Sequence, residues 1–473
     1  MLIWSDHVLL GDHHSGLRVV PAALQLSGAR IVSVVPCDRD AFRAMVADGD
    51  DERLDLSGKL ITPAFVNAHA HLPMAVFRGI GGHAAARDNL VEQLFYRLES
   101  ELTDEDIRAF ARMGAYECLS AGVAVVWEHY YGGVQLAQGL REAGIAGFVA
   151  PTLQDLDGPG VERLDAQLQA TLDIMNDAES SAAGIYAALG PHATDTVSAS
   201  LWRAVTELAL KHDLTVHAHL AQSVEELARA HQRHGASPVQ WLESEGALEA
   251  RGLWVHGIFL SDADLGRFDA SRHTLGFCPF SQLQFSFPAD VLAWERAGLP
   301  WLVATDCAAC NDGMGPQKEL RFVAGLPTQL AATASLRERF ASSASLADAQ
   351  ALQDGRSAAF DQWPNWRSSE HLLSRVWSIP GALDPRMRSG VLAPGAAAHL
   401  LTWDISHPSM WPHHDLLRAV ALSEPGQALD GVMVNGGWWA KPGELADRLH
   451  RDDYREARRE ANERLTALLS RFG

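Results

Sequence analysis

Histidine and aspartate side chains stand at the ends of several apolar segments of this chain, in a pattern that suits a metal site. His69 and His71 follow one segment at positions i and i+2, so on a strand both side chains point to the same face. His219, His256 and Asp306 stand at or near the ends of three later segments. Imidazole nitrogens and a carboxylate suit Zn²⁺ or Fe²⁺ and leave a position open for water.

A metal held in this way would turn a water molecule into a nucleophile. The ion lowers the pKa of its water toward about 7, so hydroxide is available near neutral pH. Asp306 is expected to take the proton, and His256 to orient the same water. The residues therefore predict a hydrolase with one divalent metal ion, with Zn²⁺ in the first place and Fe²⁺ as the alternative.

Eight short apolar runs, separated by amphipathic segments, are the elements that must position these residues. The runs cover residues 61–68, 122–129, 145–151, 185–190, 214–220, 252–258, 274–279 and 300–306, and helices are predicted at 104–121, 224–235 and 237–248. The count alone also allows a doubly wound open sheet, but no GxGxxG follows the first run. We predict an α/β fold, a (β/α)8 TIM barrel, whose strand carboxyl ends open onto one face and bring the distant side chains together.

The two ends of the chain differ from this middle part. Short strand-like pieces without a long helix fill the first 60 residues, and a similar texture returns after residue 385. We predict that segments 1–60 and 385–445 form one small discontinuous β-sandwich domain beside a barrel of residues 61–384. A charged amphipathic helix is predicted over 446–473.

Composition limits the partners and the compartment. The formal net charge of −20, from 39 Lys+Arg against 59 Asp+Glu, disfavours nucleic acid and anionic membranes as partners. The chain contains no run of about 18 apolar residues, and its start does not resemble a signal peptide. Five cysteines fit a reducing compartment, so a cytoplasmic protein is expected. Cys307 and Cys310 are spaced CxxC, but without a second CxxC packing is favoured over a zinc knuckle or redox pair.

Six segments carry motifs of a known family. They are PAFVNAHAHLPMAVFRGI (63–80), GPHATDTVS (190–198), VHAHLAQS (216–223), LWVHGIFLSDADL (253–265), CPFSQLQFSFPADV (278–291) and ATDCAACNDGM (304–314). Together they resemble the amidohydrolase superfamily, in particular its branch of cytosolic aminohydrolases that act on heterocycles. That branch includes guanine deaminase, the methylthioadenosine and S-adenosylhomocysteine deaminases and the s-triazine hydrolases.

The resemblance implies a role for each matching residue. It assigns the metal shell to His69, His71, His219 and Asp306. It makes His256 the residue that positions the water and His192 a contact of a small-molecule substrate. It also implies a homodimer and hydrolysis of a C–N bond in a small cyclic or heteroaromatic substrate.

One position departs from the family pattern. Where deaminating relatives have a proton-shuttling glutamate three residues after the fifth-strand histidine, this chain has Gln222. An amide cannot cycle a proton at neutral pH, so general acid catalysis worth roughly 10²- to 10⁴-fold would be lost. Gln222 could instead anchor a substrate that needs no such proton, or Glu128 near the end of the second run could replace the acid. The chain could also have lost catalysis and kept binding.

Several further side chains are predicted to contact the substrate. Phe77 and Trp127 could line a flat pocket for a ring, together with Phe280 and Phe285. Gln282 stands where the family usually has asparagine. The leading prediction is a metal-dependent hydrolase of a C–N bond, by deamination or by amide or amidine hydrolysis. A hydrolytic dehalogenase of a heterocycle and a metal-containing binding protein are the alternatives.

Overall fold

The computed structural model describes residues 1–45, 52–80, 89–285, 287–331 and 345–472. The strands, numbered in chain order, are β1 (Leu2–Leu10), β2 (Arg18–Ser27), β3 (Arg30–Pro36), β4 (Arg53–Asp55), β5 (Lys59–Pro63), β6 (Phe65–Ala70), β7 (Val123–Tyr130), β8 (Ala146–Leu153), β9 (Ile185–Ala187), β10 (Gly190–Pro191), β11 (Val216–Leu220), β12 (Gly252–His256), β13 (His273–Phe277), β14 (Trp301–Val303), β15 (Leu400–Asp404), β16 (Leu429–Val434) and β17 (Gly437–Ala440).

Helices alternate with these strands through the middle of the chain. The α-helices span Arg39–Ala44, Tyr96–Glu99, Asp104–Ser120, Gly133–Ala143, Leu164–Asn176, Ala178–Ala182, Ala199–His212, Val224–His234, Pro238–Ser244, Asp262–Leu265, Pro279–Phe285, Val291–Arg296, Ala308–Asn311, Pro316–Ala331, Leu346–Gln362, Ser369–Ser374, Leu416–Leu422, Leu445–Arg448 and Asp452–Phe472. A 3₁₀ segment covers Leu72–Phe77, and a π-helical turn covers Val91–Phe95. The three helices predicted from the sequence are all present.

Two groups of parallel strands form the barrel. The first pairs β6 with β7 and β7 with β8, and β8 also pairs with β9 and β10. The second runs in the order β11, β12, β13, β14. Single parallel bridges join the two groups, one between Ala70 and Asp306 and one between Leu189 and Val216. The predicted (β/α)8 barrel is confirmed, and its strands are buried on both faces because helices cover the outside.

The first predicted run divides between two sheets. Its first part lies in β5, which pairs with β1 and β15, whereas β6 enters the barrel. The division falls at Pro63 and Ala64. Pro63 has no N–H to donate, and Ala64 N donates to the carbonyl of His399 at 3.1 Å. A continuous apolar run thus crosses from one sheet into the other.

Strands from both chain ends share a separate mixed sheet. Its order is β17, β16, β15, β5, β1, β2, β3, with β4 also paired to β1. A buried cluster packs on this sheet, including Ile3, Leu24, Ile61, Val391 and Leu400. Strands of both chain ends thus lie in one sheet, and the discontinuous β-sandwich domain with its boundaries at 1–60 and 385–445 stays a prediction.

Charged contacts hold the C-terminal helix, Asp452–Phe472, against Asp104–Ser120. Arg108 pairs with Glu460, and the buried carboxylate of Asp106 accepts hydrogen bonds from Arg464 at 3.4 Å and Arg471 at 2.9 Å. The helix therefore docks on the outside of the barrel through these charged contacts and through Ala457, Ala461 and Leu468, which are buried in the main hydrophobic core. Among the described helices, none is long and apolar enough to cross a membrane.

Candidate active site

Four side chains from three strand ends and the following loop converge at the carboxyl end of the barrel. His71 Nε2 lies 3.4 Å from Asp306 Oδ1, and His69 Nε2 lies 3.7 Å from the same oxygen. His219 Nε2 lies 3.3 Å from His71 Nε2. All four residues are buried. The structure thus brings together the four residues predicted to hold a metal.

The outer nitrogen of each predicted ligand ring is already engaged. His71 Nδ1 faces the carbonyl of His129 at 2.5 Å, and His219 Nδ1 faces the carbonyl of His192 at 3.1 Å. A ring nitrogen that faces a carbonyl must carry the proton, so the Nε2 lone pair of each ring points to the centre. His69 Nδ1 lies 2.8 Å from His217 Nε2, and His69 Nε2 has no hydrogen-bond partner among the described residues.

The charge state of the rings also suits a metal. Burial, followed by the neighbouring histidines, lowers the pKa of His69 and His219 well below the ordinary value of 6.5. Burial lowers the pKa of His71 as well, although Asp306 opposes the shift. The imidazoles are therefore neutral at neutral pH, which is the form that binds a metal. One donor atom from each of His69, His71 and Asp306 lies within 4.8 Å of the others, so the donor set fits a divalent ion.

The two oxygens of Asp306 have different surroundings. Oδ1 faces His69 and His71 and accepts a hydrogen bond from Cys307 N at 2.8 Å. Oδ2 accepts a hydrogen bond from Ser281 Oγ at 2.6 Å. Asp306 adopts a φ of 65°, a backbone conformation that is strained for a residue other than glycine. The hydrogen bonds therefore fix Oδ1 toward His69 and His71, and they hold Oδ2 on the side of Ser281 and His256.

His256 lies on the other side of the same aspartate. Its Nε2 is 4.0 Å from Asp306 Oδ2, and its ring stacks on His219 with centroids 5.4 Å apart. The backbone of His256 also has a positive φ, 80°. Gln282 Nε2 donates to the His256 carbonyl at 3.1 Å and Gln282 Oε1 accepts from Ala289 N at 2.9 Å. Gln282 thus positions His256, in addition to lining the cavity beside it.

A cavity of about 670 Å³ opens above these residues. Its apolar wall includes Met74, Leu90, Phe95, Ile258 and Phe287. Its acidic lining residues are Glu92, Glu99, Asp195, Glu225 and Asp306, and among the described lining residues none is lysine or arginine. A site of this size and apolar character accepts a small organic molecule.

Comparison with known proteins identifies the family. The model of the amidohydrolase family matches residues 60–439, which is most of the chain. The chain belongs to the amidohydrolase family. The match confirms the resemblance predicted from the sequence motifs and the prediction of a hydrolase that acts on non-peptide C–N bonds.

Relatives of this amidohydrolase cover almost its whole length. A 5-methylthioadenosine/S-adenosylhomocysteine deaminase of Thermococcus kodakarensis is 24% identical over 440 residues, covering 92% of this chain and 93% of the relative. The zinc-bound structure of an adenosine deaminase from Xanthomonas campestris superposes with a TM-score of 0.78 at 22% identity, covering 98% of each chain. Zinc-complexed atrazine chlorohydrolase from Arthrobacter aurescens gives 0.76 at 19%, covering 99% of each chain. The two structural matches support the barrel fold.

Gln222 and His192, two of the residues predicted to contact the substrate, line the cavity of this amidohydrolase. The Gln222 backbone N donates to Glu226 Oε2 at 2.8 Å, and the hydroxyl of Thr194 donates to the other oxygen of Glu226 at 2.5 Å. Ser223 caps the helix Val224–His234 by accepting from Glu226 N. Glu226 is buried and its pKa is raised to about 7 by burial and by Asp195. These hydrogen bonds at the start of the helix hold the backbone of Gln222 in place, so its side-chain amide points into the cavity.

Two aromatic residues predicted to contact the substrate lie in the hydrophobic core instead. Trp127 stacks on Phe148 with centroids 4.1 Å apart and lies edge-on to His217. Phe77 is fully buried in the same core cluster. Neither is among the residues that line the cavity. Trp127 shares a strand face with His129 but lies two residues nearer the strand start, so it packs the barrel layer beneath the site.

Glu128 also lies away from the cavity. Both of its carboxylate oxygens accept from Leu72 N at 3.0 Å, and burial raises its pKa well above the ordinary value. It faces the opposite side of β7 from His129, because side chains alternate along a strand. The position of Glu128 therefore does not support the prediction that it replaces the missing acid.

Sequence reasoning missed several residues of the cavity. His129 lines it and orients His71 through its carbonyl, while its own Nδ1 lies 3.0 Å from Thr152 Oγ1. Its place at the end of the second predicted strand was the signal that could have identified it. Glu99 also lines the cavity, and burial raises its pKa to about 8 although the Tyr130 hydroxyl opposes the shift. Glu99 lies outside the sequence motifs and the predicted strands, at the end of a short helix that follows the π-helical turn, so no signal in the sequence pointed to it.

Proposed function

We propose that this amidohydrolase cleaves a C–N bond of a small heteroaromatic substrate, with one Zn²⁺ held by His69, His71, His219 and Asp306. The observation that carries the proposal is the common orientation of the donor atoms. The two Nδ1 atoms of His71 and His219 are bound by carbonyls, and their Nε2 atoms face Asp306 Oδ1 or one another. Three neutral imidazoles and one carboxylate match a Zn²⁺ site that keeps a position for water.

The surrounding residues support a hydrolytic mechanism. A divalent metal at this centre supplies the Lewis acidity that makes hydroxide available near neutral pH. Asp306 Oδ2 takes the proton of the attacking water and returns it to the departing nitrogen, because Oδ1 is turned toward the histidines. His256 Nε2, on the same side as Oδ2, stabilises the negative charge that develops on the attacked centre.

Gln222 determines which substrate suits this mechanism. Its amide donates and accepts hydrogen bonds but cannot deliver a proton. We therefore infer that Gln222 anchors the ring, and that the substrate's ring or leaving group needs no proton from this position. The family relationship to deaminases and the absence of Lys and Arg among the described lining residues favour an amino-heterocycle, cyclic amide or amidine that carries no negative charge.

Metal analysis and a substrate screen test the proposal. The purified enzyme is expected to contain one zinc ion per chain and to release ammonia from an amino-heterocycle or open a cyclic amide. His219→Ala should lose the metal, and Asp306→Asn should lose turnover by at least about 10⁴-fold while keeping the fold, because it removes a ligand and the base. Full turnover by either folded variant contradicts the mechanism, and chloride release from a chlorinated ring without ammonia would identify a dehalogenase.

Gln222→Glu provides a second comparison. A gain of deaminase activity in the variant alone indicates that Gln222 directs the enzyme to substrates that need no protonation. Equal ammonia release by the wild type indicates that another group carries the proton. The homodimer and the cytoplasmic location stay predictions, which light scattering and cell fractionation can test.

A further inference from the structure

Two thiols lie directly beside the proposed catalytic aspartate. Cys307 follows Asp306 in the chain, and Cys310 lies one helical turn later in Ala308–Asn311. Both cysteines are reduced in the structure, with Cys307 Sγ and Cys310 Sγ 2.7 Å apart. The short turn between them therefore places the two sulfur atoms in direct contact.

The thiol pair shares contacts with the aspartate. Each sulfur atom lies within 4.8 Å of the other and of a carboxylate oxygen of Asp306. Ser281 Oγ donates to Asp306 Oδ2 at 2.6 Å and lies 3.3 Å from Cys310 Sγ. Cys307 N donates to Asp306 Oδ1 at 2.8 Å. Any change in the positions of the sulfur atoms is thus transmitted to both oxygens of the aspartate.

A small oxidant can reach the pair through the cavity. Cys307 and Cys310 both line it, yet they are only 2% and 3% exposed. Because both residues are almost enclosed, the oxidant of choice is as small as hydrogen peroxide and not a bulky disulfide. None of the three other cysteines lines the cavity. Cys118 and Cys278 are buried, and Cys37 packs beside the mixed sheet that both chain ends form.

We propose that Cys307 and Cys310 are a redox-reactive dithiol that hydrogen peroxide converts into an intramolecular disulfide, and that this oxidation suppresses the activity of the site. One sulfur attacks a peroxide oxygen while its thiol proton passes to the departing oxygen, so that the S–O bond forms, the S–H and O–O bonds break and water leaves. The second thiol attacks the resulting sulfenic acid, the S–S bond forms and water leaves. Two thiols and one peroxide thus give one disulfide and two waters, and the two sulfurs supply the two electrons.

The disulfide acts on catalysis through Asp306. The two sulfur atoms must approach to about 2.05 Å, with a Cβ–S–S–Cβ torsion near 90°. Cys310 Sγ therefore has to rotate away from Ser281, and the backbone N–H of Cys307 has to shift relative to Asp306. The Ser281 and Cys307 hydrogen bonds that fix Asp306 are then disturbed. Losing such supporting contacts at a metal site typically costs about 10- to 100-fold in activity.

The test treats the zinc-loaded enzyme with hydrogen peroxide and follows mass, disulfide connectivity and turnover. The expected protein loses the mass of two hydrogen atoms, yields a peptide with Cys307 and Cys310 linked, and loses about tenfold or more of its turnover. Dithiothreitol should restore all three. Mass and connectivity need no substrate, so they decide the inference even if the proposed function is wrong.

Three cysteine variants complete the test. The mass and turnover of each variant are compared before and after treatment with hydrogen peroxide. Cys310→Ser keeps a group that can bond Ser281 and should show neither the mass change nor the oxidative loss, and Cys307→Ala serves the same purpose if the first variant folds poorly. Cys37→Ser, the control, should respond like the wild type. A disulfide that involves Cys278, an unchanged mass, or an equal reversible loss in Cys310→Ser would overturn the proposal.

Discussion

Single hydrogen bonds set the direction of each group at this centre. The carbonyls of His129 and His192 turn the rings of His71 and His219, and Ser281 holds one oxygen of Asp306. None of these partners belongs to the predicted metal shell. They were found only when the strands were placed side by side, because the spacing of residues along the chain gives no information on which carbonyl lies behind which ring.

Removal of the Ser281 hydroxyl tests this arrangement at the residue scale. Ser281→Ala should lower kcat by about 10- to 100-fold with a small change in KM, because the hydrogen bond orients Asp306 and not the substrate. Ser406→Ala is a matched control, since Ser406 Oγ donates to Asp404 Oδ1 at 2.7 Å in an exposed turn. Steady-state kinetics and metal content measure the effect. A wild-type kcat in the folded variant contradicts a positioning role for Ser281.

The first and last barrel strands meet beneath the site through paired side-chain and backbone hydrogen bonds. Asn67 Nδ2 donates to Thr305 Oγ1 at 2.8 Å, and Thr305 N donates to Asn67 Oδ1 at 3.1 Å. Asn67 lies two residues before His69, and Thr305 precedes Asp306. The same pair therefore closes the barrel and fixes the two chain segments that carry the metal ligands.

Asn67→Ala tests the closure at the scale of the elements. It leaves the buried N–H of Thr305 without a partner, which should lower the free energy of unfolding by about 1 to 3 kcal/mol. Asn176→Ala, at an exposed helix end where the amide donates to Leu172 O, should change it by less than about 0.5 kcal/mol. Urea denaturation measures both variants. Equal stability of the two variants is the result that contradicts the closing role of Asn67.

The sequence predicted the positions of the barrel strands better than it predicted how far below the cavity each side chain lies. Buried parallel strands are continuous apolar runs, so all eight barrel strands were recognised, and His69 and Asp306 followed from their places at strand ends. The boundary at Pro63 was missed because the apolar character continues across it. Trp127 was predicted to line the cavity but lies below it. The alternation of side chains along a strand shows which face of the strand a residue is on, but its height within the barrel depends on the register of strand pairing.

Across the whole molecule, the barrel interior concentrates histidine. His129 and His217 lie beside the predicted ligands, with ring centroids 5.3 Å apart, and His217 contacts His69. The chain has 21 histidines, and the sequence alone does not show which of them are buried. The five histidines that the strand ends and the family motif singled out lie close together in the structure, whereas the positions of the two supporting ones depend on how the barrel layers stack.

Burial of these rings predicts the response of the whole fold to acid. Burial is the first cause that lowers the pKa of each of His69, His71, His129, His192, His217, His219 and His256. For His192 and His217 the pKa falls to about 3. In the unfolded chain the value is about 6.5, so below that pH unfolding takes up protons. The stability that these rings contribute is therefore complete above pH 6.5 and is lost as the pH falls.

Thermal unfolding of the metal-free protein between pH 8 and pH 5 measures this loss. The melting temperature should rise slightly toward pH 6.5, because Glu99 and Glu226, whose pKa values are raised to about 8 and about 7, take up protons in the folded state. Below pH 6.5 it should fall, because the seven buried rings outnumber these two carboxyl groups and each ring adds up to about 1.4 kcal/mol per pH unit to the slope. His217→Gln keeps a polar group beside His69 and should make the slope shallower by about one proton. Burial raises the pKa of the Asp106 carboxyl, but the hydrogen bonds from Arg471 and Thr103 outweigh this effect and lower it. The stability that such carboxylates contribute is therefore complete above about pH 4 and is lost only below that pH. A flat profile to pH 5 would therefore mean that the buried rings are protonated in the folded barrel.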